Sequence, residues 1–118
     1  MNRKVVFVVD DEDTLADAVA LFLDEHGFKA IAFHSPVDAL AASASHKPDL
    51  LLTDYRMPGM DGLALAVSLT ERRPDCKVLV MTAAAHAAED HPAFGRFAVL
   101  HKPFTLAFLL DKAVELLG

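Results

Sequence analysis

The sequence predicts a single α/β domain in which a five-stranded parallel sheet carries helices on both faces. Short apolar runs and stretches of helical periodicity alternate five times along the chain, which is the pattern of strands joined by crossover helices. The apolar runs are short and rich in Val and Leu, as expected for strands buried on both faces. A length of 118 residues is enough for one domain with one core, so we expect residues 1–118 to form one unit.

The first strand and helix occupy the N-terminal part of the chain. The β-branched run from Lys4 to Val9 predicts strand one. Asp13 or Thr14 is placed to cap the helix that follows, and Gly27 is predicted to stop it. The predicted inner face of this helix consists of Leu15, Ala18, Val19, Phe22 and Leu23.

The second strand and helix are shorter. Lys29 to Phe33 predicts a weaker strand two, and Ser35 followed by Pro36 predicts the cap and first turn of helix two. We expect this helix to end before Lys47. Its predicted buried stripe consists of Val37, Leu40, Ala41 and Ala44.

The third strand, Leu50 to Asp54, lies between two turn signals and ends abruptly in a carboxylate. Helix three is predicted to start near Gly62 and to end at residues 72–75, where two arginines lie near the negative end of the helix dipole. Its predicted inward residues are Leu63, Ala66 and Val67.

Strand four is predicted from Val78 to Met81 and ends at Thr82. Ala83 to Ala88 predicts only a short fourth helix, because alanine side chains bury little area and Pro92 biases the preceding residue out of helix. We expect Phe94 or Phe97 to pin the far end of this weak segment.

The last strand and helix complete the alternation. Ala98 to Leu100 predicts a short strand five, which ends at the residues His101-Lys102-Pro103. Thr105 is predicted to cap a last helix. The inner side of that helix is predicted to consist of Leu106, Leu109, Leu110, Ala113 and Leu117.

Composition disfavours several classes of function. The formal net charge of −6 argues against nucleic-acid binding by this chain and favours Mg²⁺ or a basic patch on a protein partner. Cys76 is the only cysteine, so no internal disulfide is expected, which suits a reducing cytoplasm. No apolar run is long enough to cross a bilayer, and the N-terminal residues do not follow a signal-peptide pattern.

Functional side chains follow four of the five predicted strands. Strand one ends at Asp10 and Asp11, strand three at Asp54, strand four at Thr82 and strand five at Lys102. The carboxyl ends of parallel strands share one edge of the sheet, and open sheets of this kind bind ligands there. We therefore expect these side chains to converge.

The convergence of three carboxylates predicts a particular chemistry. Two like charges ~4 Å apart cost about 4 kcal/mol at an intermediate effective dielectric, and a divalent cation relieves this repulsion. Carboxylate and water ligands favour Mg²⁺. With an ammonium and a hydroxyl beside it, an oxygen of Asp54 is suited to attack a phosphoryl group, so the sequence predicts a Mg²⁺-dependent phosphoryl-transfer site.

Four motifs occur in order along the chain: Val9-Asp10-Asp11-Glu12, the run from Thr53 to Gly62, Met81-Thr82-Ala83 and His101-Lys102-Pro103-Phe104. Together they resemble the motifs of response-regulator receiver domains of bacterial two-component signalling. The resemblance spans nearly the whole chain. It implies a flavodoxin-like fold of (βα)5 type, whose five parallel strands have the order 2-1-3-4-5.

The resemblance implies a role for each matching residue of the phosphoryl site. Asp54 would accept a phosphoryl group from a histidine kinase. Lys102 and Thr82 would bind that group, and the peptide between Lys102 and Pro103 would be cis.

The resemblance also implies a Mg²⁺ site. Asp11 and Asp54 would ligate the ion directly, and Asp10 would act largely through water. The backbone carbonyl of Arg56 would be a further ligand.

Partners and cellular context follow from the same resemblance. The chain would be a cytoplasmic signalling switch, monomeric or weakly dimeric, with no output domain in its sequence. Its partners would be a sensor histidine kinase or phosphotransfer protein and a downstream protein target, with no direct contact to nucleic acid or membrane. It would not be a metabolic enzyme, because it would catalyse only its own phosphorylation and dephosphorylation. Phosphorylation would shift the face of helix four between two states.

Two features depart from the usual receiver pattern. Val99 stands three residues before Lys102, where receivers usually carry an aromatic side chain that moves with Thr82. The segment between Thr82 and Lys102 is also shorter than usual. These departures leave open a second interpretation, in which the chain is a receiver-shaped interaction module that binds partners without phosphorylation.

Two other kinds of site are less favoured. His86, Glu89 and His91 lie close together in sequence, but the two histidines do not share a helix face, which argues against a zinc site. Asp11 to Thr14 matches the first motif of haloacid-dehalogenase-type phosphatases, yet the chain lacks room for the cap of that family. A small Mg²⁺-dependent phosphatase acting on external substrates remains a third hypothesis.

Overall fold

A computed structural model of the chain, which describes residues 3–83 and 88–118, contains one parallel sheet with helices on both faces. The strands are β1 (Val5–Val9), β2 (Lys29–Phe33), β3 (Leu50–Asp54), β4 (Lys77–Thr82) and β5 (Ala98–His101). Their order is β2-β1-β3-β4-β5, and every neighbouring pair is parallel. The predicted sheet is therefore confirmed.

The helices that lie wholly within the described ranges are α1 (Asp13–Glu25), α2 (Pro36–His46), α3 (Gly62–Arg72) and a C-terminal helix (Leu106–Leu117). Helix α1 and the C-terminal helix pack on one face of the sheet, and α2 and α3 pack on the other. None of the helices in the described residues has the length and apolar character needed to cross a membrane.

Most of the predicted fourth helix, over Ala83 to Ala88, lies outside the described residues, at positions 84–87. Beyond it, the structure distinguishes the two candidate anchors. Phe97 is half-buried and packs against the core, whereas Phe94 is 41% exposed. Phe97 is therefore the aromatic residue that holds this part of the chain.

The three central strands carry the core because their side chains are buried on both faces. The core layer on the α2–α3 side includes Phe7, Val9, Leu51, Leu63, Leu69 and Val80. The layer on the other side includes Val6, Val8, Leu23, Leu50, Leu52 and Leu109. Each such buried side chain contributes roughly 1.5–3 kcal/mol. Because β1 and β3 are fixed by both layers, the residues at their ends have well-defined positions.

The start of α1 differs from the predicted cap. Its N-cap is Glu12, and neither Asp13 nor Thr14 caps the helix, because both lie inside its first turn. The Glu12 side chain forms no capping hydrogen bond with the helix. Instead, the Glu12 N–H donates to Oδ1 of Asp10 at 3.0 Å, so the end of β1 organises this turn. The other predicted caps, Ser35 and Thr105, are confirmed.

The buried face of α2 was predicted wrongly except at Leu40. Val37 is 68% exposed, and Ala41 and Ala44 are also exposed. The buried residues are Pro36, Ala39, Leu40 and Ser43. Small residues face inward because α2 lies against α3. The Arg72 guanidinium donates to the Leu40 carbonyl in the middle of α2, and the Arg73 guanidinium donates to the Ser43 and Ala44 carbonyls near its end.

The other predicted helix faces are partly right. In α1, Val19 and Leu23 are buried, but Leu15 is 37% exposed and Ala18 is exposed. In the C-terminal helix the buried residues are Leu109 and Ala113. The buried stripe of α1 also includes Ala16 and Ala20, which were not predicted, and the predicted inner residue Leu106 of the C-terminal helix is 39% exposed.

The turn from β3 to α3 packs the helix start directly on the strand end. The Gly62 N–H donates to the Tyr55 carbonyl at 2.7 Å. A Cβ atom on Gly62 would lie 2.2 Å from the Asp54 carbonyl oxygen, closer than real Cβ contacts allow. Glycine at this position therefore permits the approach that holds the backbone around Asp54.

We expect Gly62→Ala to lower the free energy of unfolding by about 3 kcal/mol, because the added methyl group must displace the backbone at Asp54. Urea denaturation monitored by circular dichroism measures this loss. Gly59→Ala is the matched control: its Cβ meets nothing within 4 Å, although its φ is +82°. The control is expected to lose only about 1 kcal/mol, the cost of a left-handed conformation. Equal losses in the two variants would contradict the account of the turn.

Candidate functional site

The carboxyl ends of β1 and β3 bring three carboxylates together. Carboxylate oxygens of Asp10, Asp11 and Asp54 all lie within 4.8 Å of one another. Strand β1 lies between β2 and β3, so the chain changes direction across the sheet at this point. Open parallel sheets bind ligands in the crevice at such a switch point. The predicted convergence of the three acids is therefore present in the fold.

Asp10 is the buried member of this cluster, with 2% of its surface exposed. Its Oδ1 accepts the Glu12 N–H, whereas its Oδ2 is buried and has no hydrogen-bond partner among the described residues. Burial raises the pKa of the Asp10 carboxyl; the Glu12 N–H opposes this rise, and the charge of Asp54 adds to it. A buried carboxylate oxygen without a partner is unfavourable, so this position favours a cation.

Lys102 supplies one positive charge to the cluster. Its Nζ lies 2.9 Å from Oδ1 of Asp54 and 4.0 Å from Oδ2 of Asp10. The β4–β5 ladder positions it, because the Lys102 N–H donates to the Thr82 carbonyl at 2.9 Å. The peptide between Lys102 and Pro103 is cis, as the resemblance implied. One ammonium faces three carboxylates, so the cluster keeps an excess of negative charge.

Thr82 and Arg56 lie at the same edge of the sheet. Thr82 ends β4, is 2% exposed and pairs in register with His101, the residue before Lys102. Arg56 is exposed in the turn that follows β3. The structure thus places every predicted site residue at the carboxyl edge. The ligand role of the Arg56 carbonyl and the phosphoryl-binding role of Thr82 stay predictions.

A contact between Asp61 and His91 connects this edge to the segment after β4. His91 Nε2 lies 3.4 Å from Oδ1 of Asp61, and the His91 ring meets the Tyr55 ring edge-on with centroids 6.5 Å apart. Nδ1 of His91 accepts the Ala93 N–H at 3.0 Å, which leaves the proton on Nε2, facing Asp61. Asp61 also accepts the Ala64 N–H and caps α3. Residues 91–93 are therefore tied to the turn that follows Asp54.

The contact between Asp61 and His91 was not predicted from the sequence. A helix-cap signal at Asp61, just before α3, was available. No local signal predicts its pairing with His91, because the two residues come from different connections of the sheet. His86, the other histidine of the disfavoured zinc site, lies outside the described residues. Across residues 3–83 and 88–118, the three carboxylates are the only cluster of side chains suited to hold a metal ion.

Sequence comparisons agree with the geometry of the site. A family model described as the response regulator receiver domain matches residues 6–114. The DNA-binding transcriptional regulator NtrC of Salmonella typhimurium is 40% identical over 118 residues, which cover 98% of this chain and 24% of that protein. The C4-dicarboxylate transport transcriptional regulatory protein DctD of Rhizobium meliloti is 32% identical over 114 residues, which cover 92% of this chain and 24% of that protein. The chain thus spans about a quarter of the length of these relatives.

Solved structures share the fold. The response regulator protein TrrA of Thermotoga maritima, solved in complex with Mg²⁺-BeF, has a TM-score of 0.84 and 28% identity; the match covers 96% of this chain and 98% of that one. The chemotaxis protein CheY4 of Vibrio cholerae has a TM-score of 0.86 and 22% identity; the match covers 98% of this chain and 99% of that one. The flavodoxin-like architecture implied by the resemblance is therefore confirmed.

We expect Asp10→Asn to raise the free energy of unfolding by about 1–3 kcal/mol at neutral pH without metal, because it removes a buried negative charge whose Oδ2 has no hydrogen-bond partner among the described residues. The amide oxygen still accepts the Glu12 N–H. Because the folded state raises the pKa of Asp10 above 3.8, the wild type loses stability relative to the variant as the pH rises through that raised pKa. Below 3.8 the carboxyl is protonated in both states and this advantage of the variant disappears.

Thermal unfolding in a chelating buffer, from acid to neutral pH, measures this difference. Added Mg²⁺ is expected to stabilise the wild type more than Asp10→Asn. Asp11→Asn serves as the control, because the Asp11 carboxylate is exposed to solvent and its charge destabilises the folded state less in the absence of metal. A variant at Asp10 that is less stable than the wild type at neutral pH without metal would contradict the account.

Proposed function

Because the chain belongs to the response regulator receiver domain family, we propose that Asp54 accepts a phosphoryl group from a phosphohistidine with the help of Mg²⁺. Phosphorylation then switches the binding of a downstream protein. The observation that carries this proposal is the meeting of three carboxylates and the Lys102 ammonium at one edge of the sheet. A group of this composition suits phosphoryl transfer and has no evident structural purpose.

Asp54 is the proposed nucleophile. A bond forms between its carboxylate oxygen and phosphorus while the phosphorus–nitrogen bond of the phosphohistidine breaks, and the electron pair of that bond leaves with the imidazole. The product is an acyl phosphate on Asp54. The side chain is 15% exposed, so a donor can reach it, while the Tyr55 N–H bond to the Met81 carbonyl, 2.9 Å long, holds its backbone. A fixed acceptor lowers the entropic cost of aligning the reacting atoms.

Lys102 and Thr82 are the proposed ligands of the transferred group. The Lys102 ammonium pairs with Oδ1 of Asp54. It therefore lies beside the phosphoryl group whichever carboxylate oxygen of Asp54 carries that group. On phosphorylation the ammonium exchanges this carboxylate oxygen for a phosphoryl oxygen, where it neutralises charge. Thr82, at the end of the adjacent β4, is placed to donate its hydroxyl hydrogen to a second phosphoryl oxygen.

Asp10, Asp11 and Asp54 are the proposed holders of Mg²⁺, with the Arg56 backbone carbonyl as a further ligand. The donor set consists of oxygen atoms, which a hard cation prefers, and it includes the buried oxygen of Asp10 that lacks a partner. When bound, the ion supplies positive charge that offsets repulsion between the carboxylates and the phosphoryl oxygens.

The proposed partners are a sensor histidine kinase or phosphotransfer protein, which supplies the phosphoryl group, and a protein target that responds to it. We place the chain in the cytoplasm, as one receiver domain over residues 1–118, monomeric or weakly dimeric. It acts on itself and turns over no external substrate. The relatives named as DNA-binding regulators are matched over about a quarter of their length. The net charge of −6 disfavours DNA contact by this part alone.

A second candidate function is partner binding without phosphorylation. Val99 favours it, because this half-buried residue of β5 packs against the core at the position where the resemblance implies a mobile aromatic side chain. A β-branched side chain is stiff at χ1 and does not swing in that way. The contact between Asp61 and His91 offers another route from the phosphoacceptor turn to the segment after β4, so phosphorylation remains the first candidate.

Intact mass spectrometry after incubation with Mg²⁺ and a small-molecule phosphodonor tests the proposal. We expect the wild type to gain one phosphoryl group and Asp54→Asn to gain none, because a carboxamide is a poor nucleophile. Lys102→Gln is expected to react about 10²–10³-fold more slowly, since it removes a charge that stabilises the transition state. Lys112→Gln, which changes a lysine of the C-terminal helix that pairs with Glu115, is the matched control and should react like the wild type.

A chelator is expected to slow labelling by at least about tenfold, because a bound cation contributes several kcal/mol to charge stabilisation. An unlabelled but folded wild type would favour the second candidate function. An adduct that persists on Asp54→Asn would place the acceptor at another residue and contradict the assignment.

A further inference from the structure

The amino ends of the strands, at the opposite edge of the sheet from the carboxylates, form a basic depression of about 540 Å³. It is lined by Arg3, Lys4, Val5, Lys29, His46, Lys47 and Asp49. Its cations come from three parts of the chain: the residues before β1, the start of β2 and the end of α2. The whole chain carries a net charge of −6, so this concentration of positive charge is local.

Three lysines of the depression have no anionic partner among the described residues. Within residues 3–83 and 88–118, no ion pair or side-chain hydrogen bond involves Lys4, Lys29 or Lys47, and all three are exposed. Asp49, the acid in the depression, is instead occupied by the backbone, since its Oδ2 accepts the Val5 N–H at 2.8 Å. Arg3 and the three lysines outnumber this single carboxylate, so the depression keeps an excess of positive charge.

Arg3 differs from the lysines because it already has partners. Its guanidinium lies 3.4 Å from Oδ1 of Asp24 and donates to the Phe28 carbonyl at 3.1 Å. These bonds hold Arg3 beside the depression and place an acid, Asp24, at its border. The negative charge of Asp24 would repel an extended anion that passes close to it, so the depression favours a compact anion.

The backbone at Lys47 is a second, independent observation. Lys47 is the C-cap of α2 and has φ 46° and ψ 69°, in the left-handed region. It is the only non-glycine residue with positive φ in the part of the chain that the structure describes. Glycine or asparagine is usual at such a cap, and a lysine there is strained. Strained residues of this kind often belong to binding sites.

We propose that this depression binds a small polyanion with at least two phosphate groups, of the di- or triphosphate class. Three free ammonium groups from three chain segments supply more charge than a single phosphate needs, and ammonium groups bind phosphate as point charges. The volume is that of a small-molecule site. The depression lies one strand length, roughly 17 Å, from the phosphoacceptor edge, so the proposal goes beyond the function proposed for Asp54.

Isothermal titration calorimetry with inorganic tripolyphosphate, without Mg²⁺ and at low salt, tests this proposal. We expect the wild type and Asp54→Asn to bind equally, with an affinity that falls as salt rises. Lys29→Gln and Lys47→Gly are each expected to weaken binding several-fold. Lys112→Gln, which changes a half-buried lysine of the C-terminal helix outside the depression, is the matched control and should leave the affinity unchanged.

Lys47→Gly has a second readout that separates lost binding from misfolding. Glycine fits the left-handed conformation, so this variant is expected to melt at a higher temperature than the wild type while binding tripolyphosphate more weakly. Chemical shift changes in the wild type should centre on residues 4, 29 and 47.

Three results would overturn the proposal. The first is no heat or shift change with tripolyphosphate at low salt, and the second is an equal loss of affinity in Lys112→Gln. The third is tighter binding to duplex DNA than to tripolyphosphate through the same lysines, which would indicate an extended polyanion instead.

Discussion

Repulsion among three carboxylates dominates the electrostatics at the carboxyl edge of the sheet. Asp10, Asp11 and Asp54 are brought within 4.8 Å by strands whose own side chains are apolar and buried. One ammonium, at Lys102, offsets part of this charge and leaves Oδ2 of Asp10 buried without a hydrogen-bond partner among the described residues. The fold thus tolerates an unfavourable concentration of negative charge that a divalent cation would relieve.

The scaffold can tolerate this arrangement because the strand ends are held from several sides. Two core layers fix β1 and β3, and Gly62 lets α3 start against the backbone of Asp54. Asp61 caps α3 and also contacts His91, so the turn after Asp54 is tied to the segment beyond β4. A charge change at Asp54 would therefore act on a turn that is held by contacts to α3 and to His91.

The sequence predicted the sheet and the convergence of the candidate site residues at its edge, because both depend on local patterns. Unbroken apolar runs such as Leu50–Asp54 identify buried strands, and parallel strands necessarily bring their carboxyl ends together. The face of α2 was not predictable in the same way: Val37 looks like a core residue, but α2 packs through smaller residues such as Ala39 and Ser43. The contact between Asp61 and His91 joins residues that are distant in sequence, and no local pattern predicts it.

A crystal structure of the chain with Mg²⁺ and beryllofluoride, a phosphoryl mimic, would locate the phosphoacceptor and the metal ion together. We expect beryllofluoride on a carboxylate oxygen of Asp54, Mg²⁺ beside Asp10 and Asp11, and the Lys102 ammonium moved from the Asp54 carboxylate to a fluorine atom. Beryllofluoride at another residue, or Mg²⁺ away from the three carboxylates with Lys102 still 2.9 Å from Asp54, would contradict this expectation.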